Sequence, residues 1–351
     1  MTHPTRRAGL LGLTLMLAVA ACGGGDAEEK GWITGLLDRI PDTPASAEYI
    51  TVVDLTAAAA AAGITTPDAG ASEEDLGDYF RSLPHDALVP DLLRDAFPRF
   101  GDLTGELGVD PALVGAAIMA GNAPETFQVL AGGFDPAVID QAVHAEPAWS
   151  DLLTTGEYGG VAYYRWGDDF TIDTSRVTPV RPLGRGGRLA LDAGFLYWVP
   201  WTAGMEGLID ARAGAVPTLA DDSRLARAAR ALAAAGVYSA ILTDRPLVED
   251  AAASGLVLGI GGGRDEAGAY WVIVAVHDTA AAAQESATAV RSVLSEGTIL
   301  STGQRWSERV TGFDIEVEDD MLVGVVRSAG REGDWLQAYY GREMLLVAAQ
   351  G

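Results

Sequence analysis

The chain has 351 residues, 48% of them hydrophobic, and 49 acidic against 24 basic side chains give a formal net charge of −25. That length and apolar content suffice for one large core or two. The acidic surface repels phosphate backbones, which excludes nucleic acid as a partner, and a single cysteine, Cys22, excludes a disulfide framework or a cysteine-built metal site.

At the N-terminus Arg6 and Arg7 precede an uncharged, largely apolar run over residues 8–21, which ends in Val19-Ala20-Ala21-Cys22. Positive start, apolar run and small residues are the parts of an export signal. Residues 1–25 resemble the lipobox signal peptide of bacterial lipoproteins. The resemblance implies cleavage between Ala21 and Cys22, with lipidation of Cys22 by a diacylglycerol and further acyl chains such as palmitate. More than one chain is what stable anchoring requires. A retained transmembrane helix is the poorer reading, because 14 uncharged residues fall short of the roughly 20 that span a bilayer. Thr5-Arg6-Arg7 is also similar to a twin-arginine export signal, except that Gly9 stands where a large apolar residue is usual, so both export routes stay open.

Loss of residues 1–21 removes two arginines and no acid, leaving 22 basic and 49 acidic residues and a net charge of −27. Anionic headgroups repel such a body within a Debye length of about 10 Å. Glycines 23–25 with Asp26, Glu28 and Glu29 read as the start of a flexible acidic tether over residues 22–44 that permits this stand-off.

Residues 48–54 are β-branched and aromatic and predict a strand, after which Asp54 or Thr56 caps an alanine helix closed by Gly63. Ser72 followed by Glu73, Glu74 and Asp75 starts another helix, and residues 91–97 form a short one before Pro98. Asp110-Pro111 and Asp135-Pro136 both have the form of a helix start, the aspartate capping and the proline filling a position with no N–H to satisfy. Residues 126–131 and 160–166 predict strands, and 188–192 and 195–199 predict a hairpin around Ala193-Gly194. Helices follow at 203–213 and, capped by Asp221-Asp222-Ser223, at 224–235.

From Gly236 the order restarts, with strands at 237–242 and 270–276, a helix at 279–294, a hairpin of 313–317 with 322–327, and a last strand at 344–348. The fold class expected is therefore α+β: two diverged strand-helix-strand-strand units, residues 45–235 and 236–351, with an added helical segment in the first. The layout loosely resembles uncharacterised repeat-bearing envelope lipoproteins, which implies an α+β body and carries over no catalytic residue.

No catalytic constellation emerges. Lys30 is the only lysine, which removes Schiff-base and P-loop chemistry. The run Gly259-Ile260-Gly261-Gly262-Gly263 lacks the following helix that a dinucleotide site needs and reads as a wide hairpin loop, and Gly184-Arg185-Gly186-Gly187 has the same weakness. His85, His144 and His277 are too scattered for a zinc motif, and no nucleophile elbow surrounds a serine, though Ser239 and His277 remain a distant pairing. The acidic pairs Asp168-Asp169 and Asp221-Asp222 and the run Glu318-Asp319-Asp320 lack a calcium-loop pattern, and Asp314, Glu316 and Glu318 alternate with apolar residues as on a half-buried strand. No metal or other cofactor is expected.

Aromatic side chains gather at Tyr163, Tyr164 and Trp166 and again at Tyr197, Trp198 and Trp201. If those strands adjoin, one face carries a platform for a glycan or apolar ligand; the alternative is a core sealed by large residues. The function expected is that of a lipid-anchored protein on the extracytoplasmic face of the cell membrane, acting by binding or scaffolding. Its partners would be the membrane through the anchor and an envelope protein, lipid or glycan. The alternatives are an apolar-ligand or glycan carrier using the aromatic strands, and a cell-envelope hydrolase.

Overall fold

The computed structural model describes residues 31–245, 257–299, 301–330 and 332–341. Cys22 and the export signal expected before it, and the strand expected at 344–348, lie outside the described residues. Among the described residues the fold is α+β, and no helix is long and apolar enough to cross a membrane.

The strands are β1 (Ile50–Asp54), β2 (Val114–Ala120), β3 (Phe127–Gly132), β4 (Leu153–Tyr158), β5 (Val161–Trp166), β6 (Gly187–Asp192), β7 (Phe195–Val199), β8 (Ser239–Thr243), β9 (Val257–Asp265), β10 (Gly268–Val276), β11 (Val310–Glu318) and β12 (Met321–Ser328). They form one 12-stranded sheet in the order β11-β12-β10-β9-β8-β1-β2-β3-β7-β6-β5-β4, paired antiparallel throughout. The halves meet at β1 and β8, where Val52 faces Ala240 and Thr51 faces Ile241.

Side chains alternate between the two faces, so β1 sends Ile50 and Val52 into one core and Val53 into another. On the first face lie helices Trp32–Leu37, Thr202–Arg212 and Ser223–Ala234, which contribute Ile33, Leu37, Met205, Leu208, Leu225 and Leu232. The opposite face carries the helices between Leu55 and Leu107 and Pro136–Ala145, then Ala280–Glu296 and Asp334–Tyr340 over the second half of the sheet. The caps are local. Asp54 accepts from Ala57 N–H, Ser72 from Asp75, Asp135 from Ala137, Asp222 from Arg224 and Leu225, and Thr279 from Ala282.

Four segments differ from their sequence reading. Residues 31–44, assigned to the tether, are part of the body: Ile33, Leu37 and Ile40 are fully buried, and Trp32–Leu37 packs on Ser223–Ala234. Asp110 does cap, accepting from Ala112 N–H at 3.0 Å, but only a turn Pro111–Leu113 follows before the chain enters β2. Pairing on both edges, Ile118 opposite Val52 and Val129, outweighs the helix start. The strand β4, polar and glycine-bearing, had no sequence signal; it is a sheet edge paired only to β5. The glycines expected in a loop at 259–263 lie within β9, because both faces of that strand are approached closely. A Cβ at Gly262 would stand 2.4 Å from both Asp86 Oδ2 and Trp335 Nε1, and one at Gly263 would stand 2.4 Å from the Tyr270 ring. Asp86 fills that space, accepting from Tyr238 Oη and Trp335 Nε1 at 2.6 Å each.

Candidate functional site

The aromatic residues singled out in the sequence do not form one platform. The strand β6 separates β5 from β7, and adjacent residues point to opposite faces. Tyr163 and Tyr197 are buried on the face covered by Thr202–Arg212, whereas Tyr164, Trp166 and Trp198 belong to the other. Trp201 precedes Thr202–Arg212 and packs edge-on against Phe127 at 4.8 Å and stacks on Phe170 at 5.7 Å. Tyr164 donates to Asp140 at 2.8 Å, and burial, with that bond second, pushes its hydroxyl up to about 12.

Trp166 and Trp198 stand 6.1 Å apart across β6, and the residue between them is Gly187. A Cβ there would lie 2.5 Å from the Trp198 ring, so glycine is what lets the indole settle on the strand. Trp149, from the turn before β4, completes three walls around Arg181. The guanidinium carbon lies 4.4 Å from the Trp149 ring centre, 4.5 Å from Trp166 and 5.3 Å from Trp198.

A tight loop delivers Arg181 to this cage. Its N–H donates to the Thr178 carbonyl and hydroxyl, both at 3.1 Å, and its carbonyl accepts from Gly184 N–H at 2.8 Å. Gly184 has φ +60°, and a Cβ there would collide with the Asp173 carbonyl oxygen at 1.8 Å, so the loop requires glycine. Arg181 is 2% exposed. Its Nε donates to the buried Glu106 carboxylate on helix Phe100–Leu107, while Nη1 and Nη2 have no hydrogen-bond partner. Burial pushes the guanidinium down from its ordinary value, opposed by Glu106 and then Glu146.

Arg181 lines a cavity of about 130 Å³ together with Arg185, Asp91, Asp95, Gln128 and Trp198. Gln128 Oε1 accepts from Leu92 N–H at 3.1 Å, tying β3 to the start of helix Asp91–Ala96. Arg185 takes part in no ion pair among the described residues. Asp91 and Asp95 share Arg94, at 2.7 and 3.6 Å. Burial pushes the Asp95 carboxyl up and Asp91 adds to the effect, against the pull of Arg94.

The other constellations have structural roles. Asp169 pairs with the buried Arg188 and accepts from Thr202 N–H at 3.0 Å, Asp221 accepts from Thr218 N–H at 2.8 Å, and Asp320 pairs with Arg227 at 2.6 Å. On β11, Asp314, Glu316 and Glu318 are exposed and Ile315 is buried. Among the described residues no three His, Cys, Asp or Glu side chains gather as a metal site. Ser239 Oγ donates to the Val52 carbonyl and accepts from Leu88 N–H. Through Gly262 it is level with Trp271, which leaves it about 20 Å along the strand direction from His277.

Sequence reasoning missed Arg181, Glu106 and Trp149. Arg181 and Glu106 are 75 positions apart, so no spacing links them; the one local sign is an arginine set between Pro179 and Pro182.

No family model matches the chain. No curated protein matches it either. Among solved structures it is similar to TP0453 in crystal forms III and I, each at 9% identity and a TM-score of 0.40, over 87% and 88% of this chain and 97% of TP0453.

Proposed function

We propose that the protein is a non-enzymatic binding protein of the cell envelope, lipid-anchored through Cys22 at the extracytoplasmic face of the membrane, with the cavity beside Arg181 as its ligand site. The observation that carries the binding role is the cavity of about 130 Å³, whose lining brings Arg181 and Arg185 together with Asp91 and Asp95. Charged groups of both signs around one cavity suit recognition of a specific polar group. The anchor rests on the lipobox resemblance at residues 19–22. Carriage of an apolar ligand by the aromatic strands is less well supported, because their rings divide between the two faces of the sheet. A hydrolase has less support still, since Ser239 and His277 lie far apart. We read the two parts of the sheet, meeting at β1 and β8, as diverged copies of one strand-helix-strand-strand unit, the first with an added helical segment.

The anchor and the ligand are tested separately. Mass analysis of the exported protein should find an acylated Cys22 at the N-terminus, and Cys22→Ser should leave the membrane fraction; an intact Met1 ends the anchor reading. Compounds released by heat from natively purified protein should include one small polar species in stoichiometric amount. Release of none, from protein that also binds no envelope component, ends the binding reading.

A further inference from the structure

The sheet ends in two edge strands, β11 and β4, and they are finished differently. β11 is guarded: its register shifts between Val310 and Gly312, Asp314, Glu316 and Glu318 stand along it, and Arg291 from helix Ala280–Glu296 donates to the Ile315 carbonyl. Irregularities, charges and covering groups of this kind keep other chains from pairing with an edge. β4 has none of the three beyond Glu157, and it pairs with β5 in unbroken register.

The hairpin decides which groups of β4 are free. Gly159 and Gly160 make a two-residue turn at φ +56° and +76°, so the closing pair Tyr158 and Val161 exchange hydrogen bonds, and by alternation so do Gly156 with Tyr163 and Thr154 with Arg165. The N–H and C=O of Thr155 and Glu157 therefore point away from β5. Among the described residues no backbone group beyond the strand bonds to them.

Carboxylates flank this edge on both faces of the sheet. On one, Glu157 is exposed and Asp140 accepts from the hydroxyl of Tyr164, the residue opposite Thr155. On the other, Asp210 accepts from the Tyr158 hydroxyl at 3.0 Å, and Glu206 stands one turn before it on helix Thr202–Arg212. Glu157, Glu206 and Asp210 take part in no ion pair among the described residues, and Asp140 has His144 beside it at 3.4 Å.

We infer that β4 is a docking edge for an extended, basic segment of a partner protein, which adds to the sheet as a further strand. Backbone pairing at Thr155 and Glu157 supplies affinity, and lysine or arginine side chains reaching Glu157 on one face and Asp210 with Glu206 on the other supply the choice of partner. A second copy of the chain offers the same open edge, but pairing would bring together two bodies of net charge −25. The edge shares no residue with the cavity at Arg181, so the inference goes beyond the proposed ligand site and does not rest on it.

The full chain in non-ionic detergent is titrated into a dye-labelled, short peptide of lysine and valine, with binding read by fluorescence anisotropy. This peptide should saturate and should weaken as salt rises, and its glutamate and valine counterpart should not bind. Methylation of the central backbone nitrogens keeps the charge and removes the donors, and should weaken the lysine peptide at least about tenfold. Thr155→Pro deletes an N–H that bonds to nothing in β5, and should weaken it at least about tenfold at a urea midpoint close to the parent's. If the midpoint falls, Glu157→Lys decides instead: it lies exposed at the edge, reverses the charge there and should also weaken the lysine peptide.

The proposal fails if the lysine peptide does not saturate, if the methylated peptide binds as tightly, or if both variants bind like the parent. A dimer that forms with rising concentration and is lost in Thr155→Pro would give the edge to a second copy and end the assignment to a basic partner. Failure here leaves the Arg181 cavity untouched, because the co-purified compound tests that site alone.

Discussion

Arg188 on β6 and Arg181 in the loop before it are both sealed from solvent, at 0% and 2% exposure, within one half of the same sheet. Around Arg188 every nitrogen has an acceptor. Nε donates to Thr202 Oγ1 at 3.1 Å, Nη1 to the Pro200 carbonyl at 3.5 Å, and Nη2 to the Gly167 carbonyl at 3.1 Å, with Asp169 at 2.5 Å as counter-ion. Around Arg181 one carboxylate serves Nε and indole rings take the place of the remaining acceptors. The first arrangement joins strand ends to a helix start and is complete in itself. The second leaves two donors without an acceptor inside the protein, which costs stability.

Removing the counter-ions should separate the two arginines most sharply. Glu106→Ala leaves the buried guanidinium without its hydrogen-bonded carboxylate, with only the weaker pull of Glu146, and should cost about 3–5 kcal/mol, read as a lower urea midpoint at unchanged slope. A loss under about 1 kcal/mol would mean that the indoles alone hold Arg181. Gly187→Ala drives a methyl into the Trp198 ring and should cost about 1–3 kcal/mol, with a shifted tryptophan emission as the cage opens; an unchanged spectrum would show that the ring has room to move. Asp169→Ala should cost only about 1 kcal/mol, because Arg188 retains three other acceptors and Asp169 is partly in water. A cost equal to that of Glu106→Ala would erase the contrast.

The smallest effect concerns pH. Burial holds the Asp95 proton more tightly in the folded protein than at the ordinary value of 3.8. A carboxyl raised in this way lowers stability once ionised, so its unfavourable share is present above the folded value and fades as pH falls through that value toward 3.8. Asp95→Asn removes the share. The variant should therefore be slightly more stable than the parent near neutrality and lose that advantage in acid; a constant difference across the range would assign the gain to something other than titration.

Much of the body was legible because its signals are short. Asp54, Ser72, Asp135, Asp222 and Thr279 each cap a helix using an N–H two or three residues ahead, and the hairpin of β6 and β7 turns on Ala193-Gly194, both at positive φ. The same kind of signal misled at Asp110-Pro111, where the cap forms but two neighbouring strands claim the residues after it. Glycine-rich β9 looked like a loop because the groups that need its bare backbone, Asp86, Trp335 and Tyr270, come from elsewhere in the chain or across the sheet.

For the candidate site the aromatic residues were visible and their arrangement was not. Period two in a strand already separates Tyr163 from Tyr164, but that β6 would come between β5 and β7 is a matter of strand order. Composition and local pattern were enough for the acidic charge, the caps and most of the strands, since each is written in neighbouring residues. The pairing of β1 with β8, the burial of residues 31–40 and the meeting of Glu106, Trp149, Arg181 and Trp198 were decided only by the folded chain. Those contacts join segments tens to nearly two hundred positions apart, and they form because sheet pairing and apolar burial favour the assembled whole over any arrangement a single segment prefers.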